Sequence, residues 1–371
     1  MKKGYYICYD SSGLGVSKKI NLQMSIFEKH FQMVLFRLKS KEQSFFSKIF
    51  CRMPLQSALY NYDECLKQLD DPSFIYIRRF GFDNAFIKFL KTIKKKFNKV
   101  TLLIELYTYP YDKDEYFSHS RFKLFPFFLK DFFWRGKLKK FVDRFITFSD
   151  DDNIFGIKTI SCINGLNVSK CFFSNHEYNV SNTINLISVA RMQRAHGYER
   201  IIYGLFFYYK NGGDRDIIFH VIGDGYEEKK YKKLAKKLSL ERRVLFYGRK
   251  SGDELNALLS SCDIGIAPLG MYKNGININS ALKIPEYLSH GLPIISGCKI
   301  KMNDNAKIPF CLEFENNRTP IDIFKVVDFY DSFLVPNSGI VSQLQRDFAK
   351  QHFDMDIVMQ PIIFYIENNK Q

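Results

Sequence analysis

The chain has 371 residues, 46% of them hydrophobic, which is too long for one ordinary core and gives two domains as the simplest division. Lys and Arg total 55 against 39 Asp and Glu, and the resulting +16 favours an anionic partner: nucleic acid, an acidic membrane surface or a phosphorylated small molecule. The eight cysteines are scattered, without a C-x-x-C pair or a His cluster at metal spacing, so a disulfide scaffold and a zinc module are both excluded in favour of reduced thiols.

The first residues turn polar at Tyr9 and Asp10, too soon for a signal-peptide apolar region, and no apolar run reaches the ~18 residues of a spanning helix, so a cytoplasmic protein is expected. Residues 4–9 (GYYICY) read as a strand, DSSGLGVSKK as a glycine loop, and 20–31 as an amphipathic helix. Strands are expected at 32–36, 74–77, 100–105, 145–148 and 159–163, with helical patterns between several of them, as at 84–97. A polar stretch at 164–182 marks the joint. Beyond it, strands at 184–190, 217–222, 244–247, 264–267 and 293–296 alternate with helices at 199–209, 227–237, 253–260 and 286–290. Both halves therefore read as α/β with mainly parallel, doubly wound sheets, whose ligands bind at the carboxyl ends of the strands.

Three places in the second half could carry chemistry. Arg191, Arg194, His196 and Arg200 follow the strand 184–190, and guanidinium groups fit phosphate oxygens as forks. For Arg194 and Arg200 an ordinary surface location is the competing reading. Gly223, Asp224 and Gly225 separate a strand from a helix, either as a purely structural turn or to permit close backbone approach to a ligand. The stretch SALKIPEYLSHGLPII, from Ser280, begins a short helix at Lys283, because Pro285 fits only a first turn and Gly291 suits a left-handed stop. A lysine at the positive end of a helix calls for an anion nearby. Glu286, one turn on, either compensates the helix dipole or accepts hydrogen bonds from sugar hydroxyls.

The blocks SVARMQRAHGYERII, HVIGDG, VLFYGRKSGDELNALLSSCDIGIAPL and SALKIPEYLSHGLPII, in this order, resemble the nucleotide-binding half of retaining glycosyltransferases of the GT-B fold, in particular glycosyltransferase family 4. GLGVSKKI, IELYTYPYD and INGLNV look like the glycine loop, acceptor-side loop and interdomain Asn-Gly turn of such enzymes, and bacterial polysaccharide-assembly members come closest. The resemblance implies two Rossmann-like domains facing across a cleft: 1–170 for the acceptor, 171–340 for the nucleotide sugar, and a helical segment 341–371 returning toward the first. It further implies a UDP- or GDP-linked donor, no other cofactor and no metal. The donor would lie among Gly15, Arg191, His196, Gly223, Tyr247, Gly248, Ser280, Leu282, Lys283 and Glu286, with Arg191 and Lys283 on the diphosphate, Glu286 on the ribose and 246–249 along the base. Two departures stand out. Many relatives have a glutamate eight positions before Glu286, where this chain has Ile278, and a lysine where His196 stands.

In the first half, Glu105 ends an apolar strand and could orient or deprotonate an acceptor hydroxyl, though a buried, paired structural role fits equally well; Tyr109 and Asp112 are weaker candidates. The aspartates of SDDDN, 149–153, read as a solvated turn rather than a metal site. RFKLFPFFLKDFFWRGKLKKF, which starts at Arg121 and ends at Phe141, interleaves Phe and Trp134 with seven Lys or Arg and suits either an anionic membrane surface, and with it a saccharide or lipid-linked acceptor, or a core helix with a basic solvent face. No nucleic-acid signature is present. The expected activity is sugar transfer in cell-surface polysaccharide assembly. Its rivals are a nucleotide-sugar 2-epimerase of the same fold and a non-catalytic nucleotide-sugar-binding partner subunit.

Overall fold

The computed structural model describes residues 1–9, 14–39, 60–79, 81–117, 121–180, 183–302 and 306–369, so residues 10–13 of the expected glycine loop lie outside it. The chain forms two compact units, Met1–Cys162 with Val358–Gln371, and Ile163–Ile357.

The first unit is a seven-stranded sheet of β1 (Lys3–Tyr9), β2 (Gln32–Leu38), β3 (Phe74–Arg78), β4 (Thr101–Leu106), β5 (Arg144–Thr147), β6 (Asn153–Ile154) and β7 (Ile157–Ser161), in the order 2-1-3-4-5-7-6. All pairings are parallel except β6 with β7. Residues of β1, β3 and β4 are buried on both faces, which is why their sequences are continuous apolar runs rather than alternating ones. Helices α1 (Leu14–His30), α2 (Asp63–Gln68), α3 (Asn84–Lys96), α4 (Asp112–Glu115) and α5 (Arg121–Arg135) accompany it. In α3, Asp83 caps the first turn by accepting from the Phe86 N–H at 2.8 Å, and Phe86, Ile87, Phe89, Leu90 and Ile93 form its buried stripe.

Helix α1 begins at Leu14, not at 20, so Gly15 lies in its first turn rather than in a loop. The apolar face of Ile20, Met24 and Phe27 extends back through Lys19, which is itself buried, and one glycine costs a helix only about 1 kcal/mol.

The second unit has a six-stranded, all-parallel sheet of β8 (Ile184–Val189), β9 (Ile217–Ile222), β10 (Val244–Gly248), β11 (Ile264–Ile266), β13 (Ile294–Ser296) and β15 (Cys311–Glu313), ordered 10-9-8-11-13-15. A two-residue ladder joins β12 (Ile278–Asn279) to β14 (Lys299–Ile300). The short strands β12, β14 and β15 are too brief and too mixed to show a period in sequence. Helices α6 (Glu199–Lys210), α7 (Glu228–Lys237), α8 (Gly252–Ser260), α9 (Lys283–His290), α10 (Ile323–Phe329) and α11 (Ser338–His352) complete it. Counted within the unit, the strand order is 3-2-1-4-5-6, with its switch point between β8 and β11; in the first unit the order 2-1-3-4-5 switches between β1 and β3.

Two last helices, α12 (Met355–Val358) and α13 (Gln360–Asn368), close the chain. Residues from Val358 onward belong to the first unit, where the Lys2 ammonium donates to the carbonyls of Ile366 (2.5 Å) and Glu367 (3.1 Å). Helix α11, inside the segment expected to return, stays with the second unit, its Ser342 hydroxyl accepting from the His176 N–H at 3.0 Å.

Candidate active site

The second unit's switch point is built by two loops that hold each other. After β8, residues 190–197 fold over the exit of β11: Leu269 N–H donates to the His196 carbonyl at 2.9 Å and Gly270 N–H to that of Ala195 at 3.0 Å. Gly197 is left-handed at φ 62°, and a Cβ there would lie 2.6 Å from the Gly270 nitrogen, so only glycine lets the loops meet.

His196 accepts from the Gln193 N–H through Nδ1 at 2.9 Å, which in the neutral ring leaves Nε2 carrying the proton. Burial, reinforced by the nearby Lys283 ammonium, holds the imidazole well below its usual pKa. At this position the chain therefore offers a neutral donor, not the cation of relatives with lysine.

Lys283 opens α9, as expected, and Gly291 ends it at φ 86°. Tyr287 ties the helix to β8 by accepting from the Val189 N–H at 2.9 Å. The Lys283 side chain is 6% exposed, with Nζ 3.1 Å from Ser188 Oγ and 3.5 Å from the Tyr198 hydroxyl. Those oxygens are 2.5 Å apart. Its partners are hydroxyls, and no carboxylate among the described residues pairs with it. Burial pushes the ammonium down to about 7, with the Glu286 carboxylate opposing. An amine that gains its charge near neutral pH is thus held beneath the strand tips without a counter-charge in contact.

The remaining predicted donor residues separate into three groups. Arg191 is exposed and makes no ion pair among the described residues; Leu282 and Glu286 are exposed on the first turn of α9 and just before it. Ser280 accepts at Oγ from the Asn164 N–H (2.9 Å), while its carbonyl accepts from the Asn164 side chain, so the Asn-Gly turn read from INGLNV packs directly against it. Tyr247 and Gly248 lie at the end of edge strand β10. The Tyr247 hydroxyl meets His220 Nδ1 at 2.8 Å, and His220 Nε2 continues to Asn185 Oδ1 at 3.0 Å, a chain that runs toward the amino ends of the strands.

Three expectations need correction. Gly223 and Gly225 do allow close backbone approach, but to the neighbouring loop: a Cβ would lie 1.9 Å from the Ala190 carbonyl oxygen at Gly223 and 2.2 Å from that of Met192 at Gly225. Arg200 is neither a phosphate ligand nor a surface charge. It is buried and donates to the carbonyls of Leu269 (2.6 Å), Thr319 (2.7 Å) and Glu315 (3.0 Å). Glu105, in the first unit, has no exposed surface and accepts from Tyr76 (2.6 Å), Gln23 (2.8 Å), Lys19 (3.4 Å) and Arg78. Burial alone would raise its carboxyl, yet Arg78 and Lys19 outweigh it and hold the group at about 2. This is the paired structural glutamate, not a base.

Asp112 is likewise engaged by Arg135 at 2.9 Å, and Tyr109 packs its edge on Tyr111. Ile278 sits in the β12–β14 ladder, paired with Lys299. Sequence reasoning missed the side chain of its neighbour Asn279, which is fully buried; Oδ1 accepts from the Ala281 N–H at 2.9 Å and Nδ2 has no partner among the described residues. An unpaired buried donor just before Ser280 is the kind of group a ligand oxygen satisfies, and its only signal in sequence was a place in the loop leading to Lys283.

Residues 174–303, which contain this constellation, match the family model described as Glycosyl transferases group 1. No curated protein matches significantly by sequence. Among solved structures, sucrose-phosphate synthase from Thermosynechococcus elongatus is similar with a TM-score of 0.66 at 12% identity, covering 99% of both chains. A glycosyltransferase from Rickettsia africae ESF-5 gives 0.63 at 13%, over 100% of this chain and 99% of that one. HepE of Anabaena, solved with UDP, gives 0.62 at 14%, over 100% of each. Residues 174–303 of the second unit are thus similar to the group 1 glycosyl transferases, and the chain has the GT-B fold.

Proposed function

We propose that the protein transfers a sugar, with retention and without a metal, from a UDP- or GDP-linked donor to a saccharide or lipid-linked acceptor in cell-surface polysaccharide assembly. The observation that carries this reading is Lys283, a buried ammonium at the switch point of the second sheet with only hydroxyls around it. A diphosphate supplies the missing negative charge. The group 1 match spans this site, and similar structures of HepE contain UDP and UDP-glucose.

In this reading Lys283 and Arg191 hold the diphosphate, the neutral His196 donates from Nε2, and Glu286 accepts from the ribose hydroxyls. As the bond between sugar C1 and the phosphate oxygen breaks, negative charge grows on the diphosphate where these fixed groups already stand. The acceptor oxygen bonds to C1 on the same face, and its proton passes to the departing phosphate oxygen. Glu105, locked by four donors, takes no part. The fixed cations supply the charge stabilisation, which is the ground for proposing metal independence. We place the enzyme peripherally on the inner face of the membrane through residues 121–141; no described helix is long and apolar enough to cross one.

Purified protein incubated with UDP-glucose or GDP-mannose, with and without glycan or glycolipid acceptors, tests the proposal. Acceptor-dependent release of UDP or GDP, with the donor's anomeric configuration kept in the product, is expected. Acceptor-independent conversion of the sugar identifies an epimerase instead, and binding without turnover identifies a non-catalytic partner subunit.

A further inference from the structure

The open edge of the second sheet carries features that the transferase reading leaves unused. Strand β10 pairs with β9 alone among the described residues, so its other side is a sheet edge. The Phe219 N–H donates to the Arg243 carbonyl at 2.7 Å, and the alternation of a parallel ladder then turns the N–H and C=O of Phe246 away from β9. Edge strands are commonly blunted by proline or charge, and β10, with the sequence VLFYG, has neither; its interruption is a bulge between Phe246 and Gly248. Outward-facing backbone donors and acceptors are a template for one more strand.

A groove of about 540 Å³ runs along this edge, lined on one side by Val244, Leu245 and Phe246 of β10 and on the other by Lys232, Ala235 and Lys236 of α7. Helix α7, EKKYKKLAKK, has six lysines against one glutamate. Its Tyr231 and Ala235 are buried and all six lysines are exposed. Lys230 is paired with Glu227 at 2.8 Å and Lys232 with Glu228 at 2.7 Å, and the other four make no ion pair among the described residues. The lysines recur three and four positions apart, where like charges repel, so a partner of opposite charge relieves a strain that the helix carries alone.

We propose that this edge binds an extended, acidic segment of another protein, which adds to the sheet beside β10 and sets its carboxylates against α7. Main-chain hydrogen bonds to Phe246 supply the pairing, the apolar wall takes aliphatic side chains, and Lys232 and Lys236 select for carboxylates. A polyphosphate chain would use the lysines and leave the strand edge and the apolar wall unused. The surface goes beyond the transferase reading and does not depend on it.

The test uses the full chain and a fluorescein-labelled peptide, EVEVEVEV, with binding read by anisotropy. Its comparison probes are the same peptide with every backbone N–H methylated, the basic peptide KVKVKVKV, and an oligothymidylate of the same length. EVEVEVEV should bind and KVKVKVKV should not, while methylation, which keeps the charge and removes the strand's donors, should weaken binding at least about tenfold. Lys232→Glu with Lys236→Glu should weaken it about tenfold or more without lowering the melting temperature. Lys91→Glu with Lys95→Glu, an exposed pair at the same spacing on α3, should bind as wild type does. In the wild-type chain, hydrogen exchange over residues 244–248 should slow when the peptide is bound, a readout that needs no variant to fold. The proposal is overturned if EVEVEVEV does not bind, if the methylated peptide binds equally well, if the α3 reversal weakens binding as much as the α7 reversal, or if exchange over 244–248 is unchanged. Tighter binding of the oligothymidylate than of the peptide would also overturn it, and reassign the lysines to nucleic acid.

Discussion

At the tip of the first sheet Glu105 is buried among Arg78, Lys19, Gln23 and Tyr76, whereas near the tip of the second Lys283 is buried against two hydroxyls. One charge is fully compensated by the protein; the other is compensated only when something negative arrives. Two sheets of similar design therefore end in a closed electrostatic arrangement and an open one, and an open one is what an anionic ligand needs. A buried charge marks a binding site by the partner it lacks.

The contrast breaks most visibly at Glu105. Glu105→Gln leaves two buried cations facing a neutral amide and should destabilise the protein by about 3–5 kcal/mol, measured by denaturant unfolding. Because its folded carboxyl lies at about 2, below the ordinary 4.5, Glu105 stabilises above pH 4.5, and that contribution is lost as pH falls from there through 2.

Lys283→Met should behave oppositely. Removing an uncompensated buried ammonium relieves its desolvation, so the ligand-free protein should melt no lower than wild type, while its affinity for UDP falls about 10–100-fold. A clear drop in melting temperature would place Lys283 with Glu105 as a structural charge.

A smaller effect follows from titration. With Lys283 at about 7 in the folded chain and 10.5 ordinarily, the unfolded chain binds the extra proton between those values. Ligand-free stability then gains a rising contribution from pH 7 to 10.5. A diphosphate that restores the charge takes up a proton in the same window, and its affinity weakens as pH rises. Calorimetry in two buffers of different ionisation enthalpy reads this uptake; none at pH 8 contradicts it. The least effect is expected at Arg191, exposed and unpaired among the described residues: Arg191→Ala should weaken UDP binding about three- to tenfold and leave melting unchanged.

What the sequence made legible is what local rules control. The span of α9 follows from Pro285 and Gly291, and most strands of both sheets follow from apolar runs, because these constraints act within a few residues. What it hid is set by distant partners. Arg200 is spoken for by carbonyls on residues 269, 315 and 319, and Glu105 by side chains 27 to 86 positions away. The glycines after β9 carried a correct signal of close approach without saying to what. The aromatic and basic content of 121–141 was plain, but which phenylalanines line a hollow and which face outward depends on how α5 packs.

The most direct test is the structure of the protein with UDP. The account predicts diphosphate oxygens within hydrogen-bonding distance of Lys283 Nζ, with His196 Nε2 donating to the same group. A diphosphate bound away from the β8/β11 switch point, leaving Lys283 on Ser188 and Tyr198 alone, would contradict it.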